Sequence, residues 1–98
     1  MGKVKQDQKL GQVAELLKTL GHYDRLRILI LLSQEESMNV SAVIAQLSLE
    51  QSVLSQHLIK MRERGILVSS RKGTQIYYSL SDPTFVSILT PLLERVVK

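Results

Sequence analysis

The chain has 98 residues, of which 44% are hydrophobic, and it contains no cysteine. This composition suits one small globular domain, and the lack of cysteine excludes disulfides, thiolate metal sites and thiol-based sensing within these residues. The formal net charge of +4 and the pI near 9.6 favour an anionic partner such as nucleic acid.

The N-terminal segment Met1–Leu10 is polar and lacks the apolar core of a signal peptide. The longest apolar run, Ile28–Leu32, is far too short to span a bilayer. We therefore expect a cytoplasmic protein without a membrane partner. Residues 1–7 are predicted to form a loose arm at the start of a single domain that covers residues 1–98.

Two helices are predicted before the centre of the chain. Apolar residues recur at helical spacing over residues 8–20, and Gly21 ends this helix. The next helix, His22–Ser33, is apolar around most of its circumference, which is typical of a buried central helix. Arg25 and Arg27 are expected to reach its surface.

Residues 39–64 have the pattern of a helix-turn-helix. Asn39 is a good N-cap for a third helix, Ser48–Glu50 forms the turn, and a fourth helix follows over about Gln51–Arg64 until Gly65. Met38, which precedes the third helix, is predicted to be a lead-in or a short edge strand. Residues 66–80 then predict two strands around a glycine turn with a basic tip.

The fourth helix and the hairpin together predict DNA binding. Short polar side chains near a helix N-terminus suit close approach to base edges, and glutamine can pair bidentately with adenine. Between residues 57 and 75 there are five basic side chains and one acidic side chain. The predicted DNA-binding residues are Gln51, Ser52, Ser55, Gln56, His57, Lys60, Arg62, Arg64, Arg71, Lys72 and Gln75.

A last helix is predicted over residues 83–97, with Asp82 as its cap and Pro83 as its first residue. Pro91 interrupts its pattern and should kink the helix or shift its start. One face of this helix is broadly apolar. Because one small core can cover only a limited apolar surface, this face favours a dimer.

From about Leu16 to Leu93 the chain resembles the ArsR/SmtB family of bacterial winged-helix repressors. The resemblance lies in four segments: Leu20–Leu29, Val40–Leu47, Gln51–Leu58 with Met61–Val68, and Arg71–Leu80. It implies a mainly α winged helix-turn-helix with a small β-hairpin, in the order ααααββα, that forms a homodimer through helices 8–20 and 83–97. The implied interface residues are Leu10, Val13, Leu17, Phe85, Leu89, Leu92, Leu93 and Val96.

Members of this family that sense metals use Cys-x-Cys near the third helix, or Asp and His on the last helix. This chain has neither set, and Asp82 is better explained as a helix cap. Capping or exposure is the ordinary explanation for His22, and packing or a phosphate contact is the ordinary explanation for His57. We therefore expect no metal and no cofactor. Because no nucleophile-elbow sequence or phosphate-cradling loop is present, we also expect no enzymatic activity.

The sequence thus predicts a sequence-specific transcriptional regulator that represses as a homodimer on an inverted repeat, without the family's sensing residues. A second hypothesis is a winged-helix protein-interaction module that has lost DNA binding, which Glu50 favours slightly because its carboxylate lies where phosphate would approach. A third is a regulator with a small-molecule pocket, for which the sequence indicates no polar cluster.

Overall fold

The computed structural model describes the backbone of residues 3–97 and the side chains of residues 6–97. The elements in chain order are α1 (Lys3–Leu20), α2 (Tyr23–Gln34), β1 (Met38–Asn39), α3 (Val40–Leu47), α4 (Gln51–Glu63), β2 (Leu67–Lys72), β3 (Gln75–Leu80) and α5 (Thr84–Val97). The predicted mainly α fold with a hairpin is confirmed, with one strand added.

The helix α1 begins at Lys3, so the prediction of a loose arm is wrong from that residue onward. Residues 3–10 contain no glycine or proline, and lysine and glutamine are good helix formers, so no local signal stops the helix there. Residues 1 and 2 lie outside the described residues. At the other end the N–H of Gly21 donates to the carbonyl of Leu17 at 2.9 Å, and α1 ends as predicted.

The helix α2 is the central element, as predicted. His22 caps it, because its Nδ1 accepts from the N–H of Asp24 at 3.2 Å. All the main elements contribute to the core that surrounds α2. The buried hydrophobic residues are Leu20, Ile28, Leu29, Leu32, Val43, Leu47, Leu54, Leu58, Met61, Ile66, Leu67, Tyr78 and Leu89.

The sheet has three strands in the order β1-β3-β2, so β3 is the central strand rather than one half of an isolated hairpin. Met38 and Asn39 pair antiparallel with Tyr78 and Tyr77. Met38 therefore lies in a short edge strand, one of the two forms predicted for it, although two residues are too few to show a strand periodicity. This pairing attaches the hairpin directly to the start of α3.

The helix α5 begins at Thr84, one residue later than predicted, and continues through Pro91 to Val97. The Oδ1 of Asp82 accepts from the N–H of Thr84 at 2.7 Å, which confirms the predicted cap. Hydrogen bonds from Thr84 also lower the pKa of Asp82 below its ordinary value. Pro91 lacks an N–H and costs the helix one backbone bond, but it does not end the helix.

Candidate DNA-binding surface

The helices α3 and α4 are joined by a turn whose geometry follows from local side chains. The Oδ1 of Asn39 accepts from the N–H of Ala42 at 2.8 Å, so Asn39 caps α3 as predicted. Ser48 has a positive φ of 55° and donates its N–H to the carbonyl of Ile44, which ends α3. Gly65, at φ 77°, follows α4, where the N–H of Ile66 bonds to the carbonyl of Met61. This arrangement is a Schellman-type end.

The N-terminal turn of α4 presents polar side chains to solvent. Gln51, Ser52 and Gln56 are exposed, and Ser55 is half-buried. Glu50 makes no side-chain cap bond to the α4 backbone, but its Oε1 accepts from the Ser52 hydroxyl at 2.8 Å. The hydroxyl of Ser52 is therefore oriented toward a carboxylate in the free protein.

The basic residues of α4 do not all lie on the same side of the helix. Arg62 is exposed, whereas the guanidinium of Arg64 lies 3.3 Å from the carboxylate of Glu15 on α1. Lys60 is half-buried and lines a shallow cavity with Arg64 and Arg25. Arg64 and Lys60 thus lie on the α1 side of α4. Arg64 forms an exposed interhelical ion pair, and its predicted DNA contact stays a prediction.

His57 lies in the interior, with 8% of its surface exposed, so its predicted place among the DNA-binding residues is wrong. Its Nδ1 accepts from the Nε of Arg25 at 3.1 Å, and its ring packs edge-on against His22 with the centroids 4.5 Å apart. Burial, and then the nearby His22 and Arg25, lower the pKa of His57 below its ordinary value of 6.5. The imidazole is therefore neutral near pH 7 and can accept this hydrogen bond.

The hairpin of β2 and β3 projects its basic tip into solvent. Lys72 pairs with Gln75 across a two-residue turn in which Gly73 has a φ of 63°. A positive φ at the first turn residue alone is the arrangement of a type II′ turn, which favours glycine there. Arg71, Lys72 and Gln75 are all exposed, and the Nζ of Lys72 lies 5.1 Å from the centre of the Tyr77 ring.

Two arginines of α2 connect elements that the sequence left unconnected. Both were expected to reach the surface, but both are half-buried. Besides its bond to His57, Arg25 donates from Nη1 to the carbonyl of Thr19 at 3.0 Å. Arg27 donates from Nη2 to the carbonyl of Leu47, at 2.8 Å, at the end of α3. The signal in the sequence that could have indicated these contacts is the position of two arginines in a helix whose other residues are mostly apolar.

Ligand-type atoms of His22, Asp24 and His57 lie within 4.8 Å of one another, which makes this the one metal-type cluster among the described residues. Arginines already engage two of these side chains. Arg25 donates to His57, and Arg27 pairs with the carboxylate of Asp24 at 3.2 Å. A divalent cation at this place would lie close to two guanidinium charges and would compete with these contacts. The arrangement therefore works as a hydrogen-bonded junction between helices.

An exposed apolar face runs along α1 and α5. It comprises Leu10, Val13, Leu17, Ile88, Leu92, Leu93, Val96 and Val97. Of the interface residues predicted from sequence, Leu89 is buried in the protomer's own core, whereas Phe85 is half-buried and packs partly against that core. An open apolar groove of about 450 Å³ between α2 and α5 adjoins this face at Leu93. None of the described helices is both long and apolar enough to cross a membrane.

The chain is similar to known regulators along most of its length. A sequence model of the family described as "Bacterial regulatory protein, arsR family" matches residues 23–69. The transcriptional repressor PagR of Bacillus anthracis is 43% identical over 82 residues, which are 81% of this chain and 82% of PagR. The biofilm growth-associated repressor of Agrobacterium fabrum is 36% identical over 86 residues, 88% of this chain and 73% of that protein.

Solved structures of regulators resemble this chain as well. The crystal structure of PagR matches with a TM-score of 0.77 at 42% identity, covering 87% of this chain and 97% of PagR. The structure of NolR from Sinorhizobium fredii matches with a TM-score of 0.83 at 33% identity, covering 96% and 92%. The family resemblance and the winged helix-turn-helix inferred from sequence are confirmed. The chain belongs to the ArsR family of bacterial regulatory proteins.

Proposed function

We propose that this protein is a sequence-specific DNA-binding transcriptional repressor that acts as a homodimer on an inverted repeat. The observation that carries this proposal is that a chain of the ArsR family exposes both the polar N-terminal turn of α4 and a basic wing tip. The names of PagR and the biofilm growth-associated repressor, both described as repressors, support the direction of regulation. As a transcription regulator, the protein would act in the cytoplasm and catalyse no reaction.

The DNA-reading residues of this proposal are those that the fold leaves accessible. Gln51, Ser55 and Gln56 would reach base edges in the major groove, and Ser52 would bond a base or a phosphate once released from Glu50. The positive end of the α4 dipole favours a phosphate at the same place. Arg62 would contact the backbone along the groove.

The wing would contribute contacts beside the groove. Arg71 and Lys72 carry the charge at the tip, and Gln75 lies opposite Lys72. Because the basic tip is solvent-exposed, it can approach phosphates or a flanking minor groove without unfolding any element. These contacts fix the position of the protein on the duplex, whereas the residues of α4 supply the sequence preference.

A homodimer is proposed from the apolar face of α1 and α5. Leu92 is 54% exposed and Val96 is 81% exposed, on a helix whose other side packs into the core. Contiguous exposed apolar surface of this kind marks an interaction site. A two-fold dimer would set two α4 helices about 34 Å apart, which matches successive major grooves on one face of DNA. That arrangement requires an inverted repeat.

The test is a selection of genomic fragments by the purified protein, followed by footprinting and transcription from the bound promoter in vitro. We expect salt-sensitive binding to a short inverted repeat and reduced transcription. An increase of transcription would make the protein an activator. If no fragment of its own genome is bound in a salt-sensitive way, DNA binding is refuted. The protein-interaction module, which the carboxylate of Glu50 at the start of α4 favours, then becomes the better explanation.

A further inference from the structure

The side chain of Arg25 connects three helices at one point. From α2, its Nη1 reaches the carbonyl of Thr19 in the last turn of α1, and its Nε reaches the imidazole of His57 in α4. Thr19 is 3% exposed and His57 is 8% exposed, so both partners lie away from solvent. A hydrogen bond in such a place is electrostatically stronger than one in water, and like any hydrogen bond it has a preferred direction.

Two other contacts of α4 involve polar groups: the His57 ring lies against His22, and Arg64 pairs with Glu15 at the exposed end of the helix. The remaining contact between α4 and the core is apolar. Leu54, Leu58 and Met61 are fully buried along one side of the helix. The hydrophobic effect has no preferred direction, so the burial of these side chains does not by itself select one rotation of the helix about its axis. The bond between Arg25 and His57 does have a direction. Because this bond is both directional and buried, it can determine how α4 is rotated about its own axis.

The position of His57 in the chain connects this setting to the exposed face. His57 directly follows Gln56 and lies two residues after Ser55, within the first two turns of α4. Any rotation of the helix that moves the imidazole also moves these two side chains relative to the rest of the protein. We propose that Arg25 is a positioning residue for DNA recognition, which acts through its hydrogen bond to His57 to fix the direction in which Ser55 and Gln56 point.

This role rests on the proposed DNA binding and adds a residue that touches no DNA. The hydrogen bond between Arg25 and His57 makes specific demands on which group donates and which accepts. Because Arg25 can only donate, the Nδ1 of His57 must be unprotonated, and its proton lies on Nε2. A residue at position 57 that packs but cannot accept would retain the core contact and lose the direction. A residue at position 57 that accepts a hydrogen bond through a different group would restore the direction.

The experiment uses the full chain and an operator duplex selected from a random library by the parent protein. The variants are Arg25→Ala, His57→Phe, His57→Gln and the double variant Arg25→Ala with His57→Phe. Lys18→Ala is the charge-matched control, because it removes one positive charge from the neighbouring surface of α1. For each protein, the ratio of affinity for the operator to affinity for random DNA is measured, together with the melting temperature. The ¹⁵N shifts of His57 are measured in the parent, in Arg25→Ala and in Lys18→Ala, which retain this residue.

We expect His57→Phe and Arg25→Ala each to lower the affinity ratio by about tenfold, a size of coupling found within hydrogen-bond networks. The double variant should lower it no further than either single variant. His57→Gln should recover most of the ratio, and Lys18→Ala should leave it unchanged. In the parent, the ¹⁵N shifts should report the Nε2–H tautomer, and Arg25→Ala should abolish this preference.

Three results would overturn the positioning role. The first is that Arg25→Ala and His57→Phe each keep the same ratio of operator affinity to random-DNA affinity as the parent protein. The second is losses that simply add in the double variant. The third is a fall that follows the melting temperature and affects operator and random DNA equally, which indicates general destabilisation. A parent protein without any operator preference would overturn the proposed function itself. The two failures are distinguished because the parent is measured first.

Discussion

Replacing Arg71 by alanine should weaken DNA binding and make it less sensitive to salt. Arg71 is exposed on β2, next to the wing turn. A side chain that neutralises one phosphate contributes about 0.9 to the slope of log affinity against log salt concentration. Because a dimer has two wings, the slope should become shallower by about 1.8. Between about 50 and 200 mM salt, the affinity of the variant should therefore fall about 12-fold less than that of the parent.

The measurement is fluorescence anisotropy with the selected operator and with a random duplex of equal length, over a series of salt concentrations. Arg71→Ala should lower the affinity for both duplexes, because phosphate contacts carry no sequence information. Arg71→Lys should retain most of the slope, since an ammonium group also neutralises phosphate. Lys9→Ala removes an equal charge from the exposed surface of α1 and should retain the parental slope. An unchanged slope in Arg71→Ala, or an equal change in Lys9→Ala, would refute the assignment of the wing.

Ser55→Ala and Gln56→Ala should weaken operator binding more than random-DNA binding, with a loss of about 1–3 kcal/mol if Gln56 pairs bidentately, and competition binding measures this difference. Leu92→Glu should convert the dimer to a monomer in sedimentation equilibrium without unfolding the protomer, because the side chain is 54% exposed; a variant that stays dimeric would exclude this face. Leu54→Ala should lower the free energy of unfolding by about 2–5 kcal/mol in urea titrations, since Leu54 is fully buried. The stability of the parent should fall as the pH drops below about 6.5, because the unfolded chain then binds a proton at His57 that the folded chain, with its lowered pKa, resists. The pH dependence should be flatter in His57→Phe; an equal dependence in both proteins would assign the effect to another group.

The features that the sequence predicted well depend on neighbours along the chain. Asn39 caps α3 through a bond to Ala42, and Asp82 caps α5 through Thr84, so both can be recognised within a few residues. Gly65 and Gly73 occupy positive-φ positions at a helix end and in a tight turn, a backbone conformation that favours glycine. The order of the helices and the hairpin follows from such local signals and from apolar periodicity.

The errors concern residues whose role depends on distant parts of the chain. His57 belongs to a stretch with the composition of a polar helix face, but α2 lies against that side of α4 and buries it. Leu89 has the same helical spacing as its exposed neighbours, but it points into the protomer's own core. A helical pattern identifies an apolar stripe without saying which element covers it.

By itself, the sequence determined the family, the elements and the polar composition of the α4 face, because these depend on local propensity and on residue types at fixed spacing. Only the tertiary structure decided which of those polar residues remain accessible. It also connected Arg25 to His57 across 32 positions of the chain. Contacts over such distances arise from the packing of whole helices, for which a single sequence contains no direct signal.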